Sequence, residues 1–252
     1  MRMCASLSLC LVLVGVWSAP AAAQAPPAPP PVPKIWSETA SVGYALTSGN
    51  KDTSTLNAGY EIIYDPQRRN LVKSDGLYLR GTSEGLVTAE RLVVNGRDEY
   101  RFHPRAFTFA QIQYVQDRFK NIDYLVAPTA GLGLRALDTP ETKLSFDTGL
   151  GGVWEKSPEL GALTRTSGAF TYAEKFSHQL TATTTITQAV SALHKTDNFG
   201  DALFNLNAGV SAALTTRVQM KAELLDTYKR LVVGDGVVKN DVAVVLAFVY
   251  KN

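Results

Sequence analysis

The chain has 252 residues, with 25 Lys and Arg against 23 Asp and Glu, a formal net charge of +2 and two cysteines. That near-neutral balance leaves no basic footprint for nucleic acid, so no nucleic-acid partner is expected. Cys4 and Cys10 both precede the expected leader cleavage point. The mature chain therefore holds no disulfide, thiolate metal site or cysteine nucleophile.

In chain order, the first segment is "MRMCASLSLCLVLVGVWSAPAAAQ". Arg2 supplies a positive start, Leu7 to Trp17 an apolar core, and Ala21-Ala22-Ala23 a small-residue cleavage site. This predicts a signal peptide over residues 1–23 and export. The apolar core is shorter than the roughly 20 residues a membrane helix needs. The next segment, "QAPPAPPPVPK" (24–34), is proline-rich and predicts an extended spacer. Residues 35–252 follow as one domain.

From Ile35 onward the sequence alternates. Val42, Tyr44 and Leu46 oppose Ser41, Gly43, Ala45 and Thr47. Leu56, Ala58, Tyr60, Ile62 and Tyr64 oppose Thr55, Asn57, Gly59 and Glu61. Later, Leu144, Phe146, Leu150 and Trp154 oppose Lys143, Ser145, Asp147, Gly149, Gly151 and Glu155. Successive side chains on a strand point to opposite faces, so each segment is a strand with one apolar and one small or polar face. The pattern predicts strands over 35–48, 53–65, 71–83, 88–102, 105–118, 123–137, 141–155, 162–176, 179–193, 201–214, 217–230 and 238–251. Lys73, Asp75 and Asp98 interrupt the alternation in the third and fourth. Pro66, Pro104, Pro140 and Pro158 fall at expected turns, and Pro128 falls inside a strand. The links carry turn residues and are short, so neighbouring strands are expected to pair antiparallel.

A soluble sandwich also alternates, with its apolar side inward. Three features reverse the faces. Most segments run about 11–15 residues, against a usual five or six in soluble sheets. The polar face is rich in Gly, Ser, Thr and Asn with charges of both signs, which suits a crowded wet interior. Aromatics cluster near the ends of the apolar faces: Trp36, Tyr60, Tyr64, Tyr100, Phe102, Tyr124, Trp154, Tyr228, Phe248 and Tyr250. That is the girdle pattern of an outer-membrane barrel. The expected fold is all-β: a closed antiparallel transmembrane β-barrel of about twelve strands with short hairpin turns. Its partners are outer-membrane lipid and lipopolysaccharide, and the barrel assembly machinery that reads a last strand such as "NDVAVVLAFVYKN".

An ordered set of pieces carries a resemblance. They are Trp36, Gly43, "TSGNKDTST" (Thr47–Thr55), "YVQDRF" with "NID" (Tyr114–Asp123), "GLGLR" (Gly131–Arg135) and "FDTGLGGVWE" (Phe146–Glu155). Over residues 36–252 the chain resembles the YdiY-like outer-membrane proteins, also called salt-induced outer-membrane proteins and otherwise a domain of unknown function. The resemblance implies an outer-membrane barrel and adds little on mechanism.

If the wet face is inward, Glu61, Arg135, Lys143, Asp147, Glu155, Lys221, Glu223 and Lys229 line the lumen. Mixed charges there either line a narrow aqueous passage or pair across the interior and close it. The expected function is a narrow pore or transporter for small polar solutes or ions. The alternative is a non-conducting structural or stress-response barrel. The chain is not expected to be an enzyme or to need a cofactor: its histidines, His103, His178 and His194, have no serine placed to serve. Asp117 and Asp123, with Asp52, are weak candidates for a cation at a rim; their favoured role is to cap turns. Gly131-Leu132-Gly133 precedes no helix, so it is read as barrel wall and not as a nucleotide loop.

Overall fold

The computed structural model describes residues 34–47, 53–159, 161–232 and 239–251. The expected leader, residues 24–33 of the spacer and Asp52 lie outside them. Among the described residues, twelve antiparallel strands close into one barrel, each paired with its neighbours in sequence and the first with the last. The strands are β1 (Trp36–Thr47), β2 (Thr53–Tyr64), β3 (Asn70–Ser83), β4 (Leu86–His103), β5 (Ala106–Asp117) and β6 (Ile122–Asp138). They continue as β7 (Thr142–Lys156), β8 (Arg165–Gln179), β9 (Thr184–Lys195), β10 (Ala202–Ala213), β11 (Val218–Lys229) and β12 (Asn240–Lys251). Closure leaves no sheet edge, the condition for a sheet surrounded by lipid. The seam is short: four pairs, Thr39↔Lys251 to Val42↔Phe248, join β1 to β12. The end where β1 begins and β12 finishes is here called proximal, and the other distal.

Alternation fixes which side chains point out. On β12, Val242, Val244, Leu246, Phe248 and Tyr250 are exposed, while Val245, Ala247 and Val249 are buried. Trp36, Tyr60, Tyr100, Phe102, Trp154 and Tyr228 are likewise exposed on the outside. A wall with its large apolar groups outward and small or charged groups inward is a membrane-barrel pattern.

Turn chemistry sets the hairpins. Glu84 and Gly85 both have positive φ and make a two-residue link between β3 and β4. Asn198 Oδ1 accepts the Gly200 N–H at 3.0 Å. Thr215 Oγ1 accepts the N–H groups of Arg217 and Val218 at 3.2 and 3.0 Å.

Two expectations need correction. The sequence suggested that β8 stops near Phe176 and that Ser177-His178 turns into β9. Instead β8 runs to Gln179 and the turn is Leu180–Thr183. Thr181 makes the difference: its Oγ1 accepts the N–H groups of Thr183 and Thr184 at 3.2 and 3.0 Å, a local bond that holds the chain in a turn. His178 consequently sits on a strand, against Thr142 Oγ1 at 2.9 Å. At the other end, β8 begins at Arg165 rather than residue 162.

Pro128 is tolerated inside β6 because the ladder opens beside it. On the β5 side it stands opposite Ile112. On the β7 side the register passes from Val126↔Trp154 to Thr129↔Gly151, skipping it. A residue without an N–H breaks a ladder bond, and the gap lies where it does so.

Candidate functional site: the barrel lumen

Three layers of inward side chains cross the lumen. The distal layer centres on Glu155, from β7. It pairs with Lys195 of β9 at 3.0 Å and with Lys229 of β11, and Lys195 also pairs with Asp201 at 2.6 Å. All three strand residues are buried. Beside them Val115, Ile122, Leu125, Ala127, Val153, Ala169 and Leu193 form an apolar cluster with Val93. The link between β5 and β6 contributes to the same layer. Its 3-10 turn, Arg118–Lys120, is capped by Asp117 Oδ1, which accepts the Lys120 N–H at 3.1 Å. The Lys120 side chain is fully buried and its ammonium lies 2.9 Å from Asp241 of β12. Since β12 is far round the barrel from β5 and β6, this link spans part of the distal mouth.

The middle layer is a single guanidinium. Arg91 of β4 donates to Asn205 Oδ1 of β10 at 2.8 Å and to Thr227 Oγ1 of β11. β4 and β10 are six strands apart in a ring of twelve, so this side chain bridges opposite walls. Its Nε stands 3.8 Å from Asp117. Around the bridge lies a cavity of about 380 Å³, lined on its polar side by Asp75, Asn95, Gln113, Asn205, Asn207 and Thr227. Leu77, Leu79, Val93, Leu225 and Ala243 supply its apolar side.

The proximal layer centres on Glu99. Lys73, Arg97 and Arg135 approach this one carboxylate at 3.2, 2.9 and 3.6 Å. Arg97 also reaches Asp147 of β7 at 3.0 Å and Gln111 at 2.7 Å. Its guanidinium carbon sits 3.9 Å above the Phe109 ring, a cation–π contact that desolvation strengthens. Phe107 and Phe109 need room to point inward, and the glycines supply it. A Cβ on Gly133 would overlap the Phe107 ring, and one on Gly149 would touch Phe109 at 3.0 Å.

Each residue expected in the lumen is on the inward face. Glu155 and Lys229 are buried in the distal layer, and the half-buried Asp147 and Arg135 join the proximal one. Lys221 and Glu223 pair with each other at 2.9 Å on β11. Glu61 stands opposite Asp75, and Lys143 opposite Asp138; Glu61 and Lys143 are both exposed to the lumen. Of the rim candidates, Asp117 points inward and is engaged by Lys120 and Arg91, and Asp123 is half-buried. Among the described residues no three His, Asp or Glu side chains gather as metal ligands.

Sequence reasoning missed Arg91, Arg97, Glu99, Lys120, Lys195 and Asp241. The signal for the first three was present in "RLVVNGRDEYR". Arg91, Asn95, Arg97, Glu99 and Arg101 fall on one face, but Asp98 on the other obscures the alternation. Asp98 faces outward at the proximal end, where its carboxylate receives Asn70 Nδ2 at 3.5 Å.

A sequence profile described as "protein of unknown function, DUF481" matches residues 40–251. The chain belongs to the DUF481 family. No curated protein matches it. Among solved structures it is similar to the NanC porin, at 9% identity and a TM-score of 0.53, over 85% of this chain and 99% of that one. It is also similar to the COG4313 outer membrane channel from Pseudomonas putida F1, at 13% identity and a TM-score of 0.51, over 90% of this chain and 99% of that one. At these identities the likeness concerns the fold: this DUF481 chain has the closed antiparallel barrel of outer-membrane proteins.

Proposed function

We propose that the chain is exported by its leader, resides in the bacterial outer membrane, and provides a narrow passage for small polar solutes or ions. The outward apolar band and aromatic girdle support the location. The termini then lie on the periplasmic side and the distal hairpins face out. Outer-membrane lipid and lipopolysaccharide are its surroundings, and the assembly machinery that reads the last strand is its partner in biogenesis. The observation that carries the passage is the middle layer: a polar cavity bridged by one rotatable arginine side chain.

The distal layer favours a second reading, in which the paired charges and apolar cluster keep the barrel shut. The chain then acts as a structural or stress-response envelope protein, in keeping with its resemblance to the YdiY-like, salt-induced proteins. Neither reading involves enzymatic activity. His103 Nδ1 accepts the Arg105 N–H in a turn, His178 meets Thr142, and His194 stacks against Phe199. Purified full-length protein in planar bilayers separates the two. A passage gives small discrete conductance steps that grow when Arg91→Ala removes the bridge. No steps from either protein would sink the passage and leave the closed barrel.

A further inference from the structure

Among the described residues, two inward cations of the proximal lumen have no carboxylate within 4 Å, Lys143 near the rim and Lys175 deeper in. Lys175, on the inward face of β8, is exposed to the lumen although it lies well inside the barrel. No carboxylate lies within 4 Å of its ammonium among the described residues. Its charged neighbours are Arg97, Lys73, Asp147 and Asp75. Both acids are engaged elsewhere: Asp147 by Arg97 at 3.0 Å and Asp75 by Asn95 at 2.7 Å. The nearby Lys73, Arg97 and Arg135 share the single Glu99. Glu99, Asp147, Asp75 and, opposite Asp75, Glu61 are the acids of this level, and of the cations Lys73, Arg97, Arg135 and Lys175 it is Lys175 that none of them reaches within 4 Å.

The partition of charge over the whole barrel points the same way. Outward strand positions carry Glu38, Glu90, Asp98, Glu174 and Asp226 but only Arg80 and Lys156 among basic residues. Most basic residues of the strands therefore point inward, among them Lys73, Arg91, Arg97, Arg135, Lys175 and Lys195. A positive potential inside low-dielectric walls concentrates anions and repels cations.

We infer that the proximal lumen is a binding site for small inorganic anions, with the Lys175 ammonium as its open charge, and that passage favours such anions over cations. Selectivity rests on the reading of the lumen as a passage; the site itself does not. A single charge about 5 Å from a permeant ion in water changes its local concentration about three- to fourfold. The experiment uses the full chain and chloride as probe. The zero-current potential in a potassium chloride gradient should show chloride preference. Lys175→Met should lower the chloride-to-potassium ratio by roughly tenfold, because chloride falls and potassium rises by about that three- to fourfold factor each, and Lys175→Glu should lower it further. Arg80→Gln, which removes an outward charge, should leave the ratio unchanged. In detergent, chloride NMR lines should be broadened by the wild-type protein and much less by Lys175→Met. Lys175 makes no ion pair, so folding of the variants, read from heat-modifiable gel migration, should be retained; Lys175→Gln repeats the test if Met does not fold. Conductance that prefers potassium, or a preference unmoved at position 175, overturns the anion site and leaves the passage standing. Absent conductance with Lys175-dependent line broadening upholds the site and overturns the passage. Absence of both overturns both.

Discussion

Glu155→Gln tests whether the distal layer is a buried ionic network. The Glu155 side chain is 11% exposed, and those of Lys195 and Lys229 are 6% and 4% exposed. Gln keeps the shape and removes the charge. Lys195 retains Asp201 at 2.6 Å, but Lys229 loses the one carboxylate within 4 Å of it among the described residues. Removing one partner of a buried pair costs about 3–5 kcal/mol, because the remaining ion stays desolvated without compensation. Here nearly all of that cost falls on Lys229. Adding Lys229→Met removes the stranded charge, so the double variant should recover most of the loss. Lys229→Met alone should cost less than Glu155→Gln, since Glu155 keeps Lys195. The measurement is urea unfolding of the barrel in lipid vesicles, followed by tryptophan fluorescence. A loss below about 1 kcal/mol for Glu155→Gln, or equal losses in the single and double variants, would refute the reasoning and mean that water reaches these charges.

Two further predictions concern the wall and the proximal rim. A Cβ on Gly131 would overlap the carbonyl oxygen of Thr148 in the neighbouring strand, and backbone cannot move aside as a side chain can. Gly131→Ala should therefore cost at least about 1–3 kcal/mol in the same unfolding assay. Gly96→Ala, whose Cβ would meet only Ile112 at 3.5 Å, should be nearly silent, and equal effects would contradict the close-approach argument. At the proximal rim Asp65 accepts from Arg101 at 2.6 Å and from the Gln67 N–H at 2.9 Å. Burial pushes its pKa up, but the Arg101 hydrogen bond, the Gln67 N–H and the charges of Arg101 and Arg135 outweigh burial and hold the carboxyl below its usual value. A group whose folded pKa is depressed stabilises above the unfolded pKa, about 4, and loses that contribution as pH falls through the folded value. Asp65→Asn should thus lower stability by at most about 1 kcal/mol at pH 7. The two stability curves should converge in acid, and curves that stay parallel below pH 3 would refute the linkage.

The barrel was legible because lipid outside and water inside impose opposite demands on alternate residues, and every strand must answer them. β10 and β12 show this without interruption, and their faces follow directly from residue order. The misreadings fall where a local bond overrides the alternation. Thr181 turns the chain three residues later than the pattern suggests, and Asp98 places a charge on the outward face near the proximal end, where Asn70 meets it. The lumen was legible only as a list of inward charges. Which of them pair depends on the distance between strands remote in sequence, and alternation carries no information about that. Glu155 and Lys229 are 74 residues apart and Arg91 and Asn205 are 114 apart, yet both pairs are in contact.

The pair of aspartates and the glycines between Asp117 and Gly133 show how the same gap affects a candidate site. From spacing alone, Asp117 and Asp123 are equally available to a cation. In the barrel Asp117 faces inward, caps the Arg118–Lys120 turn and stands beside Arg91, so its carboxylate holds the distal link in place. Gly131 and Gly133 admit the backbone of β7 and the ring of Phe107, and Phe107 and Phe109 in turn lie under Arg97 at 5.7 and 3.9 Å. The glycines thus determine where Arg97 sits, and Arg97 draws Glu99 and Asp147 into pairs. That consumption of acid is what leaves Lys175 as the open charge. The chemistry of the lumen is therefore set by residues that carry no charge themselves. A substitution at Gly133 that displaces Phe107 should shift ion preference as well as stability, because it frees Asp147 to reach Lys175.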